Sequence, residues 1–299
     1  MVNGINSSAD SFLANIQRLQ DRVERAQQQI SSGLRITKAS DAPDQVGAML
    51  QASSDLARNA QIGQNLDNVK VEVDGAEQAL ATALKTLESA SVLGSQGANF
   101  NQTTAVRSSL AVAVQDLLDR LIANANTRVA GRYVFSGDAD QIEAYSQDLS
   151  TATGTTPYAG TAATREVQDP QGGTFPTSQT AQEIFDAPGA SVFAAVNALR
   201  VALLADDETA IIASVADLKV AHEHLSESLS FYGTVQNEVA RGREAVKTLE
   251  HRLTTQLSEL RDADLVEAST ELVNVKLHLD AAFSARAGVP RTSLFDYLA

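Results

Sequence analysis

The chain has no cysteine and no tryptophan, only six prolines, and 5% aromatic residues in 299. Without cysteine there is no disulfide framework, no thiolate metal site and no thiol nucleophile. The same absence fits an exported protein that unfolds in transit, and many cytosolic proteins as well. Basic residues are also short: 23 Lys and Arg stand against 37 Asp and Glu, for a net charge of −14. Phosphates would be repelled by such a surface, so neither nucleic acid nor membrane is expected as a partner. The densest basic spot along the chain is the isolated pair Arg241 and Arg243. No apolar run approaches the ~18 residues of a membrane span. The opening "MVNGINSSAD" has neither a basic nor an apolar leader segment, so a Sec signal is not expected.

What is abundant points to helix. Hydrophobic residues make up 43% of the chain, and the helix formers Ala, Leu, Gln and Glu recur throughout. Ile5, Ala9, Phe12, Ile16, Leu19, Val23, Ala26 and Ile30 follow one another at steps of four and three, a heptad seam. This predicts a helix over residues 5–32, capped by Gly33. A connector follows. "SDAPD" then predicts a second helix over 42–93, with Ser40 or Asp41 as cap, Pro43 in the first turn, and Gly94 and Gly97 at its end. Ile62, Leu66, Val69, Val73, Ala76, Leu80, Ala83 and Leu87 carry its seam. A third helix is expected over 103–129. At Gly131 the pattern changes to strand and turn composition, with "GRYVFSG" as a strand, "TGTTPYAGTAATREVQ" as turn plus strand and "PQGGTFPTS" as a turn. Helices resume with "SVFAAVNALRVALLADD", capped by Ser191, and a long one over 208–260. The register slips at "RDADL" and restarts as Leu265, Ala268, Leu272, Val275, Leu279 and Ala282.

The expected fold is mainly α: a long antiparallel coiled-coil or helical bundle with paired N- and C-terminal helices and a small inserted β-containing domain. The expected domains are 1–40 plus 257–299, 41–135 plus 190–256, and the insertion 136–189. At ~50 residues the insertion is short for a core of its own, so it is expected to lean on the helices or to be only modestly stable.

Burying the seven or so larger side chains of the first seam is worth about 10–20 kcal/mol. Ordering roughly 28 residues costs a comparable amount. The first helix therefore needs a partner, which the seam alone leaves open: other helices of the same chain, as in many bundle proteins, or neighbouring copies in an assembly. The candidate assembly residues are Ile5, Phe12, Ile16, Leu19, Val23, Ile30, Leu265, Leu272, Val275, Leu279, Phe283, Leu294, Phe295, Tyr297 and Leu298.

Chemistry is harder to find. His222 and His224 are two apart, which sets them on different helix faces, whereas a helical zinc pair needs a spacing near four. His251 and His278 stand alone. Asp262 and Asp264, near Glu259 and Glu267, read as a kink and cap between two registers rather than a cation site. Gly172–Gly173 reads as a turn, and no Gly-x-Ser-x-Gly frame exists. The expectation is no enzyme, no cofactor and no metal. A hydrolase or sugar-binding site on the β insertion would need converging carboxylates, and residues 138–190 offer few.

Two stretches resemble a known family. "QQQISSGLRITKASDAP", Gln27 to Pro43, is similar to the N-terminal signature of bacterial flagellins and flagellar hook-associated proteins. "ELRDADLVEASTEL", Glu259 to Leu272, is similar to the matching C-terminal one. Within the family, "NANTRVAGRYVFSGDAD", Asn124 to Asp140, and the ending "SLFDYL" resemble the members that join hook to filament. Leu34-Arg35 is flagellin-like, which keeps the major filament subunit as the alternative. The resemblance implies a secreted structural subunit of the flagellum, exported by the type III apparatus. It also implies as partners other copies of the chain in a ring or helix, the first hook-associated protein, flagellin and an export chaperone.

Overall fold

The computed structural model describes residues 3–287, with side chains from residue 10 onward. Among these residues the long helices are α1 (Asn3–Ser32), α2 (Val46–Gly97), α3 (Thr104–Ala125), α5 (Val192–Ala205), α6 (Glu208–Arg261) and α7 (Leu265–Ala287), with a short α4 (Ala181–Phe185) before α5. Strands β1 (Arg128–Val129) and β2 (Arg132–Tyr133) form one antiparallel ribbon; β3 (Glu166–Gln168) and β4 (Thr174–Pro176) form another. The fold is mainly α with paired terminal helices and a small β-containing insertion, as the patterning predicts. Two compact units divide the chain: Met1–Ala57 with Glu250–Ala299, and Arg58–Leu249.

In the second unit α2 and α6 meet along the predicted seam. Leu66, Val73, Ala76, Leu80 and Leu87 are buried, as are Leu218, Leu225, Val235 and Val239 of α6. The Asn59 amide donates to the Val246 carbonyl at 2.9 Å, and Arg243 pairs with Asp67 at 2.6 Å. Gly94 does not end α2; the helix runs on to Gly97. A β-carbon at Gly94 would stand 2.7 Å from a Val215 methyl, so the glycine serves close packing instead. α3 packs on α5.

α3 ends four residues earlier than the periodicity predicts, because Asn126 takes up the backbone of Tyr145 from both sides: its amide donates to the carbonyl at 2.6 Å and its oxygen accepts the N–H at 3.2 Å. The strand composition of "GRYVFSG" yields only two paired residues, Arg132 and Tyr133. They turn back on β1 through Ala130 and Gly131, both at positive φ (50° and 84°).

The insertion leans on the helices. Phe135, Tyr145, Ile184 and Phe185 are buried in one core with Phe193 of α5 and Tyr232 of α6. Phe135 meets Phe185 and Tyr232 edge-on at centroid distances of 6.0 and 6.2 Å, and Phe185 stacks on Phe193 at 5.7 Å. The buried hydroxyls are used: Tyr158 donates to the Phe135 carbonyl at 3.0 Å, and Tyr232 accepts the Gln179 N–H at 3.1 Å. Burial, aided by Glu183, pushes the Tyr158 hydroxyl up to about 12, so it stays a donor. An ion pair of Arg165 with Glu72 at 2.7 Å ties the start of the β3–β4 hairpin to α2.

Candidate assembly interface

The first unit holds α1, α7 and the connector. α1 and α7 lie against each other. Ile16 and Ala26 of α1 are buried, as are Ala268 and Val275 of α7. Phe12, Leu19, Val23, Ile30, Leu272 and Leu279 are half-buried. Leu265 and Phe283 are each 51% exposed. Arg22 donates twice to Glu271, at 2.6 and 2.8 Å, across the pair. The Arg286 guanidinium sits over the Phe12 ring at 5.6 Å. The side chain of Ile5 and the residues Leu294, Phe295, Tyr297 and Leu298 lie outside those described.

The two quoted signatures meet in a hydrogen-bonded clasp. Gly33 turns the chain at φ 69°, a conformation that suits glycine. Its carbonyl accepts the Ala263 N–H at 2.9 Å, while the N–H groups of Arg35 and Ile36 both donate to the Arg261 carbonyl, at 2.7 and 3.2 Å. The Arg35 guanidinium adds bonds to the Leu260 carbonyl at 2.8 Å and to Gln45 at 3.1 Å. Asp262 closes α6 by accepting the Ser258 hydroxyl at 2.6 Å. Asp264 accepts the N–H groups of Val266 and Glu267, at 2.8 and 3.1 Å, and so starts α7. The kink-and-cap reading of these two aspartates is what the geometry has. The Ser258 hydroxyl, helped by Arg261, holds the Asp262 carboxyl below the usual range.

Asp41 does something else than expected. Its carboxylate turns backward and accepts from the N–H groups of Thr37 and Lys38, at 3.0 and 2.8 Å. Those bonds hold it below the usual carboxylate range. Residues Ala39–Asp41 therefore close a single 3-10 turn, and α2 begins only at Val46, beyond Pro43.

One feature escaped the sequence reading. Val266, Val273 and Leu277 of α7 are 77, 67 and 65% exposed. At about 100° per residue these three fall within ~40° of one another, on the side opposite Val275. Their spacing of seven and four was available in the sequence, but the stronger adjacent seam absorbed it. α7 is thus apolar on two faces, and α1 covers one of them.

No group of three or more His, Asp or Glu side chains converges as a metal site among the described residues. No helix among them is long and apolar enough to cross a membrane. The two histidines diverge, as their spacing requires: His222 faces Glu88 at 3.5 Å, and His224 meets the Glu183 carbonyl at 2.7 Å.

Comparison with known proteins agrees with this architecture. Residues 4–140 match the model of the bacterial flagellin N-terminal helical region, and residues 216–298 that of the C-terminal helical region. No curated protein matches in sequence. Among solved structures, a Vibrio parahaemolyticus protein assigned as a flagellar hook-associated protein is 20% identical, with TM-score 0.66, over 74% of this chain and 100% of its own. FlgL of Xanthomonas campestris is 15% identical, with TM-score 0.61, over 68% and 98%. The flagellar junction protein FlgL of Legionella pneumophila is 16% identical, with TM-score 0.57, over 72% and 99%. At such identities the likeness is one of fold. The family matches rest on sequence and take in both terminal helical regions, including the clasp that joins them: the chain belongs to the bacterial flagellin family of structural flagellar proteins.

Proposed function

We propose that the chain is a structural adaptor at the junction of hook and filament, standing between the first hook-associated protein and flagellin. The observation that carries the assembly reading is the second apolar face of α7: Val266, Val273 and Leu277 are exposed in the single chain. Contiguous exposed apolar surface marks an interaction site. A head-to-tail contact that does not close would build a tube or ring from it. Of the candidate residues, Phe12, Leu19, Val23, Ile30, Leu265, Leu272, Leu279 and Phe283 would then form the inner contacts between copies, while Ile16 and Val275 stay buried within the α1–α7 pair. Residues 1–40 and 257–299 would be the domain that builds the inner tube, 41–135 with 190–256 a long-helix bundle domain, and 136–189 an inserted domain. Junction rather than filament is favoured by "NANTRVAGRYVFSGDAD" and by the fold shared with a protein named for the junction. An extracellular position, type III export and a chaperone that masks α7 before export complete the reading.

Deleting the gene tests it. Hooks should assemble normally while flagellin is shed as monomer into the medium. Growth of long filaments by the purified chain alone would instead make it a filament subunit.

A further inference from the structure

A groove of about 360 Å³ runs between the end of α1 and the connector, lined by Arg25, Gln28, Leu34, Arg35 and Lys38 among others. Three cations, separate in sequence, are brought together there. The local carboxylate, Asp41, is spent on Thr37 and Lys38 of its own turn. Arg25 donates to the Asp21 carbonyl at 3.2 Å, and Arg35 to Gln45 and the Leu260 carbonyl. Among the described residues none of the three charged side-chain groups forms an ion pair with a carboxylate; Asp41 meets Lys38 only through the backbone N–H.

The same unit carries an unmatched acidic counterpart. Around the clasp Asp262, Asp264 and Glu271 are engaged by Ser258, the α7 N-terminus and Arg22. Glu259 and Glu267 are exposed, and among the described residues neither forms an ion pair. We infer that the connector groove receives Glu259 and Glu267 of a second copy of this chain. A chain of net charge −14 repels its copies unless opposite charges meet locally. A head-to-tail contact places one copy's cations on the next copy's carboxylates at every step, so both halves belong on one unit. The inference rests on the assembly reading and names its charged contact.

The missing cysteines make the test direct. Lys38→Cys and Glu267→Cys chains, each with a single thiol, are mixed, assembled and mildly oxidised. The expected product is a disulfide-linked dimer of the two, formed only on assembly, while Lys38→Cys mixed with Glu166→Cys gives none. In parallel, Arg25→Glu with Lys38→Glu should raise the critical concentration for assembly about tenfold. Adding Glu259→Lys and Glu267→Lys to that chain should restore it to within roughly threefold of the original. An unchanged critical concentration, or no rescue together with no cross-link, overturns the groove contact while leaving the assembly reading in place. Failure of the unaltered chain to assemble, alone or on flagellin, overturns both.

Discussion

Two glycines on the long helices show how one residue's worth depends on what surrounds it. A methyl at Gly94 would press against Val215 at 2.7 Å and Leu199 at 3.2 Å, whereas at Gly233 it would meet nothing within 4 Å. Both sit inside helices, where alanine gains about 1 kcal/mol over glycine. Overpacking costs about 1–3 kcal/mol. Gly233→Ala should therefore raise Tm, and Gly94→Ala should lower it or leave it level, as thermal unfolding by circular dichroism would report. Arg107 makes a similar point with charge. Its side chain is 7% exposed and bonds Asp206 at 2.6 Å and the Gly97 carbonyl at 2.9 Å. Arg107→Met strands these acceptors and should cost about 2–3 kcal/mol in a denaturant titration. Periodicity gave no sign of this arginine, because it stands among apolar positions of α3 and its partners come from other parts of the chain.

The clasp is where the pairing of elements is decided. Asp41 and Asp262 both titrate below their ordinary range in the folded chain, so their ionised forms are favoured by folding. Such groups stabilise fully above the unfolded carboxylate value of ~4 and lose that contribution as pH falls through the lower folded values. Acidification below about pH 4 should loosen the α1–α7 unit. Asp262→Asn should flatten this dependence, with amide exchange in α1 and α7 as the readout. The two faces of α7 separate in the same way. Ile16→Asp puts a charge at a position 6% exposed in the α1–α7 pair and should unpair those helices in the free chain. Val273→Asp, at a position 67% exposed, should leave monomer helicity unchanged and block assembly. A normal assembly yield from Val273→Asp would mean that the second face of α7 takes no part in assembly.

Across the molecule, burial is unequal. The Arg58–Leu249 unit holds the large aromatic and aliphatic core, while among the described residues the α1–α7 pair buries four side chains. Local stability follows buried contact. Amides of α1 and α7 in the free chain should exchange earlier than those of the middle of α2 and α6. Equal protection would mean the terminal pair is complete without neighbours.

Heptad spacing determined that there are long helices, that the terminal pair faces each other, and that the chain changes character from Gly131 to about residue 190. Apolar period follows from helix geometry, and each residue carries that information by itself. The tertiary structure decided what a single residue cannot encode: the backward turn of Asp41, the glycine that packs rather than stops, and the three cations in one groove. It also decided which of two apolar stripes on α7 meets α1. Both stripes have helical spacing, and only the competition between them for one partner surface leaves Val266, Val273 and Leu277 uncovered.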